Sequence, residues 1–210
     1  MRLTVVGATG GVGREIVRQA LAAGHEVTAV VRDPARLPVT GDRLEVFRAD
    51  LSDAERLRPA VAGRDAVLSG LGARGRGDAG VTSRLTRTVL AAMAAQEVRR
   101  LVVVSAAPLG PVSDGDGLVD RGLRAVLWRV LGDVYGDLRR MEAELAASAA
   151  DWTVVRPPRL QDRPGTGRYR RVVGGNPPKG RFVARADVAH AMLASLADPE
   201  TVRQAVGVAH

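Results

Sequence analysis

Leu3-Thr4-Val5-Val6-Gly7-Ala8-Thr9-Gly10-Gly11-Val12-Gly13 sets an apolar strand directly against a glycine turn, and a helix-patterned segment follows at once. Each glycine has a physical reason to be there. Gly7 permits a tight turn out of the strand, Gly10 lets main chain approach a diphosphate, and Gly13 lets the helix lie close to the sheet. The N–H groups at the helix start then face an anion. In a chain with 24 glycines the triplet alone would read equally as an ordinary turn. Strand before and helix after raise it to a nucleotide-binding turn, although its spacing is Gly-x-x-Gly-x-x-Gly rather than the commoner Gly-x-Gly-x-x-Gly.

Outward from this turn, short β-rich runs alternate with helical patterns. Residues 3–6 read as a strand, 11–23 as a helix and 26–31 as a strand, a complete βαβ unit. Further strands are expected at 44–47, 66–69, 101–105, 152–155 and 205–208, with helices at 53–61, 81–97, 134–149 and 185–197. Continuous apolar runs such as Leu101-Val102-Val103-Val104 suit strands covered on both faces. The alternation predicts a doubly wound parallel α/β sheet in a single domain over residues 1–210. Three segments rich in Gly, Pro, Asp or Arg break the rhythm, at 73–80, 106–120 and 161–180. They are expected to be the substrate loops, because ligands of open α/β sheets lie beyond the carboxyl ends of the strands.

Composition narrows the function. The 210 residues are 46% hydrophobic, but Arg, Asp and Gly interrupt every apolar run before the ~18 residues a membrane span needs. The N-terminal strand pattern is not that of a signal peptide. The absence of cysteine excludes disulfides, thiolate catalysis and zinc–cysteine sites, and a cytoplasmic location is the default expectation. The net charge is +8, yet Lys179 is the sole lysine and the arginines are scattered among 23 acidic residues. That distribution argues against nucleic acid, whose binders concentrate charge on one face, while the positive field favours an anionic cofactor or substrate. His25, His190 and His210 form no metal spacing with any acidic residue, and no metal is expected.

The second strand is followed by Val31-Arg32-Asp33-Pro34-Ala35-Arg36. A site for NAD(H) would place a carboxylate at this strand end to hold the ribose hydroxyls. Arg32, with Arg36 one turn beyond Pro34, can instead converge on a 2′-phosphate, which predicts NADP(H). Asp33 would reverse the preference if it faced the ribose. Asp50 and Leu51, after the third strand, are candidates for the adenine, with a helix N-cap at Ser52 or Asp53 as the competing use of this segment.

With these features and Trp152-Thr153-Val154-Val155-Arg156-Pro157-Pro158 in view, the chain resembles the NmrA-like atypical short-chain dehydrogenase/reductases, and among them the biliverdin IXβ reductase/flavin reductase group. The likeness runs nearly the whole length, through Gly7-Ala8-Thr9-Gly10, Val31-Arg32-Asp33, Val61-Ala62-Gly63, Leu71-Gly72, Ala91-Ala92-Met93 and Pro157-Pro158. The resemblance implies a Rossmann domain in which Gly7, Thr9, Gly10, Gly11, Val12 and Gly13 hold the pyrophosphate and Arg32 and Arg36 the 2′-phosphate. It implies Asp50 and Leu51 at the adenine, Leu71, Gly72 and Ala73 at the nicotinamide-side ribose, and Val104, Pro158, Arg159 and Leu160 near the nicotinamide. The reaction implied is hydride transfer from NADPH to flavins or linear tetrapyrroles. Two positions depart from the pattern: Ala106 replaces a serine and Arg159 a histidine.

The acid–base half is sparse. Ordinary short-chain dehydrogenases use Tyr-x-x-x-Lys, whose ammonium lowers the tyrosine pKa. The helical candidate here is Tyr135-Gly136-Asp137-Leu138-Arg139, and arginine does not relay a proton. Alignment on Arg139–Glu144 moreover puts Gly136 at the tyrosine position. Tyr135 therefore reads as a catalytic candidate or a packing residue. Ser105, at a strand end, could hydrogen-bond substrate or the nicotinamide carboxamide, or satisfy nearby backbone. Arg159 could hold an acidic substrate group or lie solvated in its loop. The expectation is an NADPH-dependent reductase of a flavin, quinone or tetrapyrrole-like acceptor, monomeric or homodimeric. A non-catalytic NADP(H)-sensing regulator is the alternative, and the missing Tyr–Lys pair disfavours a sugar-nucleotide epimerase.

Overall fold

The computed structural model describes residues 1–72, 80–111 and 118–210, with the backbone alone for residues 118–121, 123–125 and 127. Its centre is an eight-stranded sheet ordered β3-β2-β1-β4-β5-β6-β10-β8. The strands are β1 (Arg2–Val6), β2 (Glu26–Val31), β3 (Leu44–Arg48), β4 (Ala66–Ser69), β5 (Arg100–Val104), β6 (Asp151–Arg156), β10 (Gln204–Ala209) and β8 (Arg170–Val173). Every pairing is parallel except β8 on β10, where Val206 faces Val173. Strands β7 (Arg159–Gln161) and β9 (Phe182–Ala184) form a separate parallel pair. The run 3-2-1-4-5-6 reverses direction between β1 and β4, the switch point beyond which ligands of such sheets bind.

Period-two alternation along the strands loads both faces. Leu3 and Val5 of β1, with Val27 and Ala29 of β2, join the cluster under helices α1 (Gly11–Ala22) and α5 (Arg185–Ala194). Val6, Val30, Val67 and Leu101 point the other way, into a second cluster with α2 (Ala54–Val61), α3 (Val81–Ala95) and α4 (Leu118–Ala147). Thr4, buried among them, satisfies its hydroxyl by donating to the Ala60 carbonyl at 2.5 Å. Two buried faces explain why the core strands read as unbroken apolar runs.

The expected strands and helices all form, with differences that have local causes. Helix α4 begins at Leu118, well before the expected 134, and bends at Leu131, whose φ of −117° and ψ of 22° are not helical. Residues 118–120 fall in the expected loop and no element was expected over 121–133; Gly122 and Gly132 lie on this half, and a Cβ at either would meet nothing within 4 Å. The 161–180 segment contains β8, and α5 stops at Ala194 before a 3₁₀ turn, Ser195–Ala197. The segment 73–79 and residues 112–117, both within expected substrate loops, lie outside the described residues. Among the described residues no helix is long and apolar enough to cross a membrane, and no group of three or more His, Asp or Glu could hold a metal.

Candidate functional site

Val6 ends β1, and Gly7, at φ +72°, turns the chain. The Gly10 amide closes the turn on the Gly7 carbonyl at 2.9 Å. Gly10 then caps α1 without a side chain, and the first turn of α1 contains no acidic residue. The amides of Gly11, Val12 and Gly13 thus have no intrahelical acceptor and no internal counter-charge. Backbone packs on backbone around them. A Cβ on Gly13 would lie 2.1 Å from the Gly7 carbonyl oxygen, and one on Gly7 would lie 2.8 Å from the Gly70 carbonyl carbon. Gly70, just past β4, closes the triangle, since its Cβ would meet Gly13 N and Cα at 2.8 Å. The sequence reading had no signal for Gly70, because the contact joins elements far apart along the chain. Thr9 is half-buried beside the turn, and Val12 is buried under it. An uncompensated helix start, packed by main chain alone at Gly7, Gly10, Gly13 and Gly70, fits a diphosphate.

Arg185, also unforeseen, crosses this helix start. Its Cδ occupies the space a Gly11 Cβ would need, 2.5 Å away, and its Nη1 bonds Asp162 Oδ1 at 2.7 Å. The two line an open cleft of about 670 Å³ beside α1, with Arg14, Arg18 and Arg163 around it.

Beyond β2, Arg32 and Arg36 are exposed and have no ion-pair partner among the described residues. The expected turn after Pro34 is a 3₁₀ turn, Pro34–Arg36, and Asp33 is its N-cap, accepting from the Ala35 amide at 3.1 Å. Past β3, Asp50 accepts from the Ser52 amide at 3.2 Å, and Leu51 is buried in the second cluster. Asp53 caps α2, accepting from the Glu55 amide at 2.9 Å. Past β4, the Leu71 amide donates to Ser69 Oγ at 3.4 Å; Gly72 is exposed, and Ala73 lies outside the described residues.

Val104 ends β5 and is buried. Ser105 follows, its amide on the Val155 carbonyl at 2.8 Å, and the Ala107 amide reaches the Pro157 carbonyl at 2.8 Å. These bonds bring the β5 end against the Pro157–Leu160 segment. Pro158 is half-buried, Arg159 is exposed at the start of β7, and Leu160 packs against the first cluster. Ser105 Oγ donates to Glu142 Oε1 at 2.7 Å, and Arg156 holds the same carboxylate through two hydrogen bonds. Sequence reading missed this pair. Its one signal was a charged residue, Arg156, directly after the apolar pair Val154-Val155 at the end of β6.

Tyr135 packs within the second cluster. It is 7% exposed, 5.3 Å from the Trp128 ring centroid, and burial raises its pKa above the usual 10. The Arg139 guanidinium stacks over that same Trp128 ring at 4.7 Å. Among the described residues the Tyr135 hydroxyl makes no hydrogen bond.

Residues 7–199 match the model of a family described as NAD(P)H-binding. A 3-diazoavenalumate denitrifying reductase of a Streptomyces species is 31% identical over 201 residues, covering 85% of this chain and 64% of its own. A short-chain dehydrogenase/reductase of Veillonella parvula, solved with NADP, superposes with a TM-score of 0.82 at 21% identity, over 100% of this chain and 94% of that one. ChuY, an anaerobillin reductase from Escherichia coli O157:H7, superposes at 0.79 and 24% identity over 100% and 97%. The chain spans 12% of the length of the Mycobacterium tuberculosis relative that it matches at 36% identity over 106 residues. With the glycine turn and the switch point in place, the match across nearly the whole chain makes this a member of the NAD(P)H-binding family.

Proposed function

We propose that the protein is an NADPH-dependent reductase that passes hydride to a flavin, quinone or tetrapyrrole-like acceptor. The observation that carries the reading is a complete dinucleotide turn beside a site without a Tyr–Lys pair. Gly7, Gly10, Gly13 and Gly70 pack against main chain alone, with the Arg185 side chain beside Gly11, and the α1 amides would hold the diphosphate. Arg32 and Arg36 would hold the 2′-phosphate. Asp33, the residue that could have favoured a free ribose, instead caps its own turn. Leu71 and Gly72 would face the second ribose, with Ala73 beside them, and Asp50 and Leu51 the adenine. Val104 and the Pro158–Leu160 segment would border the nicotinamide, and exposed Arg159 would meet an acidic group on the acceptor.

Bound NADPH would supply the hydride, and the protein would hold the ring and the acceptor together. Burial raises the Tyr135 pKa, which makes it a weaker proton donor to an acceptor. Acceptors that take their proton from water suit such a site. The reductase relatives from Streptomyces and Escherichia coli support the class of reaction.

The test mixes the protein with NADPH and, in turn, FMN and several quinones, and follows loss of the reduced-nicotinamide absorbance. Turnover is expected, and Tyr135→Phe should keep it within about twofold, against the 10²–10⁴-fold loss that removal of a general acid causes. NADPH binding without turnover on any acceptor contradicts the reductase reading and favours a sensor of NADP(H).

A further inference from the structure

At the carboxyl end of β5 a hydroxyl has its one proton already committed. Ser105 Oγ donates to Glu142 Oε1 at 2.7 Å. Arg156 donates to the same carboxylate twice, from Nε to Oε1 at 3.1 Å and from Nη2 to Oε2 at 2.5 Å. The pair is mostly buried, with Arg156 14% and Glu142 15% exposed. A guanidinium has only donors and the carboxylate paired with it only acceptors, which fixes the direction of every bond. What Ser105 Oγ has left is lone pairs. Toward any ligand it is an acceptor.

The three residues come from the end of β5, from β6 and from α4, so the arrangement is held by the fold and not by one loop. The Ser105 amide on the Val155 carbonyl and the Val104–Val155 register lock the two strand ends together.

We infer that Ser105, oriented by Glu142 and Arg156, recognises an N–H donor, and that the donor is the carboxamide of the nicotinamide ring. The inference rests on the proposed dinucleotide site. With the diphosphate at the switch between β1 and β4, the second half of a dinucleotide extends over the ends of β4, β5 and β6. Ser105 sits at the middle one of these. A primary amide brings two N–H donors to it, and a ketone in the same place brings none. Glu142 and Arg156 are positioning residues, acting through Ser105. The same polarity withholds the Ser105 proton from a carbonyl acceptor, in keeping with acceptors that draw protons from water.

The test compares the affinity of the full chain for NADPH and for its 3-acetylpyridine analogue, in which a methyl ketone replaces the carboxamide. The wild type should prefer the carboxamide about tenfold, the effect of one unmet buried hydrogen bond. Ser105→Ala should bring the ratio close to one by weakening NADPH alone. Glu142→Gln should lower the ratio in the same direction, whereas a purely structural role for Glu142 would weaken both dinucleotides equally and leave the ratio unchanged. If Glu142→Gln does not fold, Ser105→Ala carries the test. An unchanged ratio in Ser105→Ala overturns the inference while leaving the dinucleotide site intact. Failure of the wild type to bind either compound overturns the site itself.

Discussion

A methyl group on Gly13 would lie 2.1 Å from a main-chain oxygen, and one on Gly70 would lie 2.8 Å from the Gly13 backbone. Neither neighbour can rotate away, because both are backbone. Gly70→Ala should therefore cost about 1–3 kcal/mol and lower the melting temperature by several degrees, with weaker dinucleotide binding. Gly72, two residues on, has nothing within 4 Å of where its Cβ would be. Gly72→Ala should melt within about a degree of the wild type, and equal losses for the two variants would contradict the packing account. At this scale legibility followed sequence distance. Gly7, Gly10 and Gly13 sit in one short run whose spacing states its own geometry. Gly70 meets them only after β4 has paired with β1, and Glu142 meets Ser105 across 37 residues. Asp33 shows the converse: its cap on Ala35 is local, yet the sequence left open that it could face a ribose and reverse the preference for NADP(H).

Among the elements, the segment after β6 was the least legible and holds the most unforeseen structure. It was expected as loop from 161 to 180; β8 within it pairs with β10, and its start is anchored by one residue of α5. Asp187, 1% exposed, accepts from the Thr166 and Gly167 amides at 2.8 Å each and from His210 Nε2 at 2.9 Å. It ties the loop and the end of β10 to α5 at one point. Asp187→Asn keeps the shape but replaces one acceptor oxygen with a donor, leaving buried partners unmet. A loss of about 1–3 kcal/mol is expected, a drop of roughly 3–10 °C in melting temperature. A melting temperature equal to the wild type would show that the loop is held by something else. No periodicity announces such an anchor, since its partners are backbone amides that any sequence supplies. Helix α4 was only half legible, from 134 onward, and its first half carries Gly122 and Gly132, where a Cβ would meet nothing within 4 Å. The strands of the core were read correctly because burial on both faces leaves mostly apolar residues along them.

For the whole molecule, sheet order and charge converge on one place. The reversal between β1 and β4 opens a crevice above the strand ends, and the α1 start faces it without an acidic residue in its first turn. A net charge of +8 adds a field that draws anions toward it. Arg32 and Arg36 stand beyond the neighbouring strand with no carboxylate holding them among the described residues. The fold was legible at this scale because hydrophobic alternation dictates a doubly wound sheet. The acceptor was not, because its loops carry no pattern that burial imposes. The central claim, a dinucleotide at the turn with its 2′-phosphate on the arginines, is tested most directly by calorimetric titration of the wild type and Arg32→Ala with NADPH and with NADH. The wild type should bind NADPH more tightly, and Arg32→Ala should lose about tenfold or more for NADPH and little for NADH, as expected for one charge-assisted hydrogen-bonding group. Equal losses for the two cofactors, or no heat with either, would contradict it.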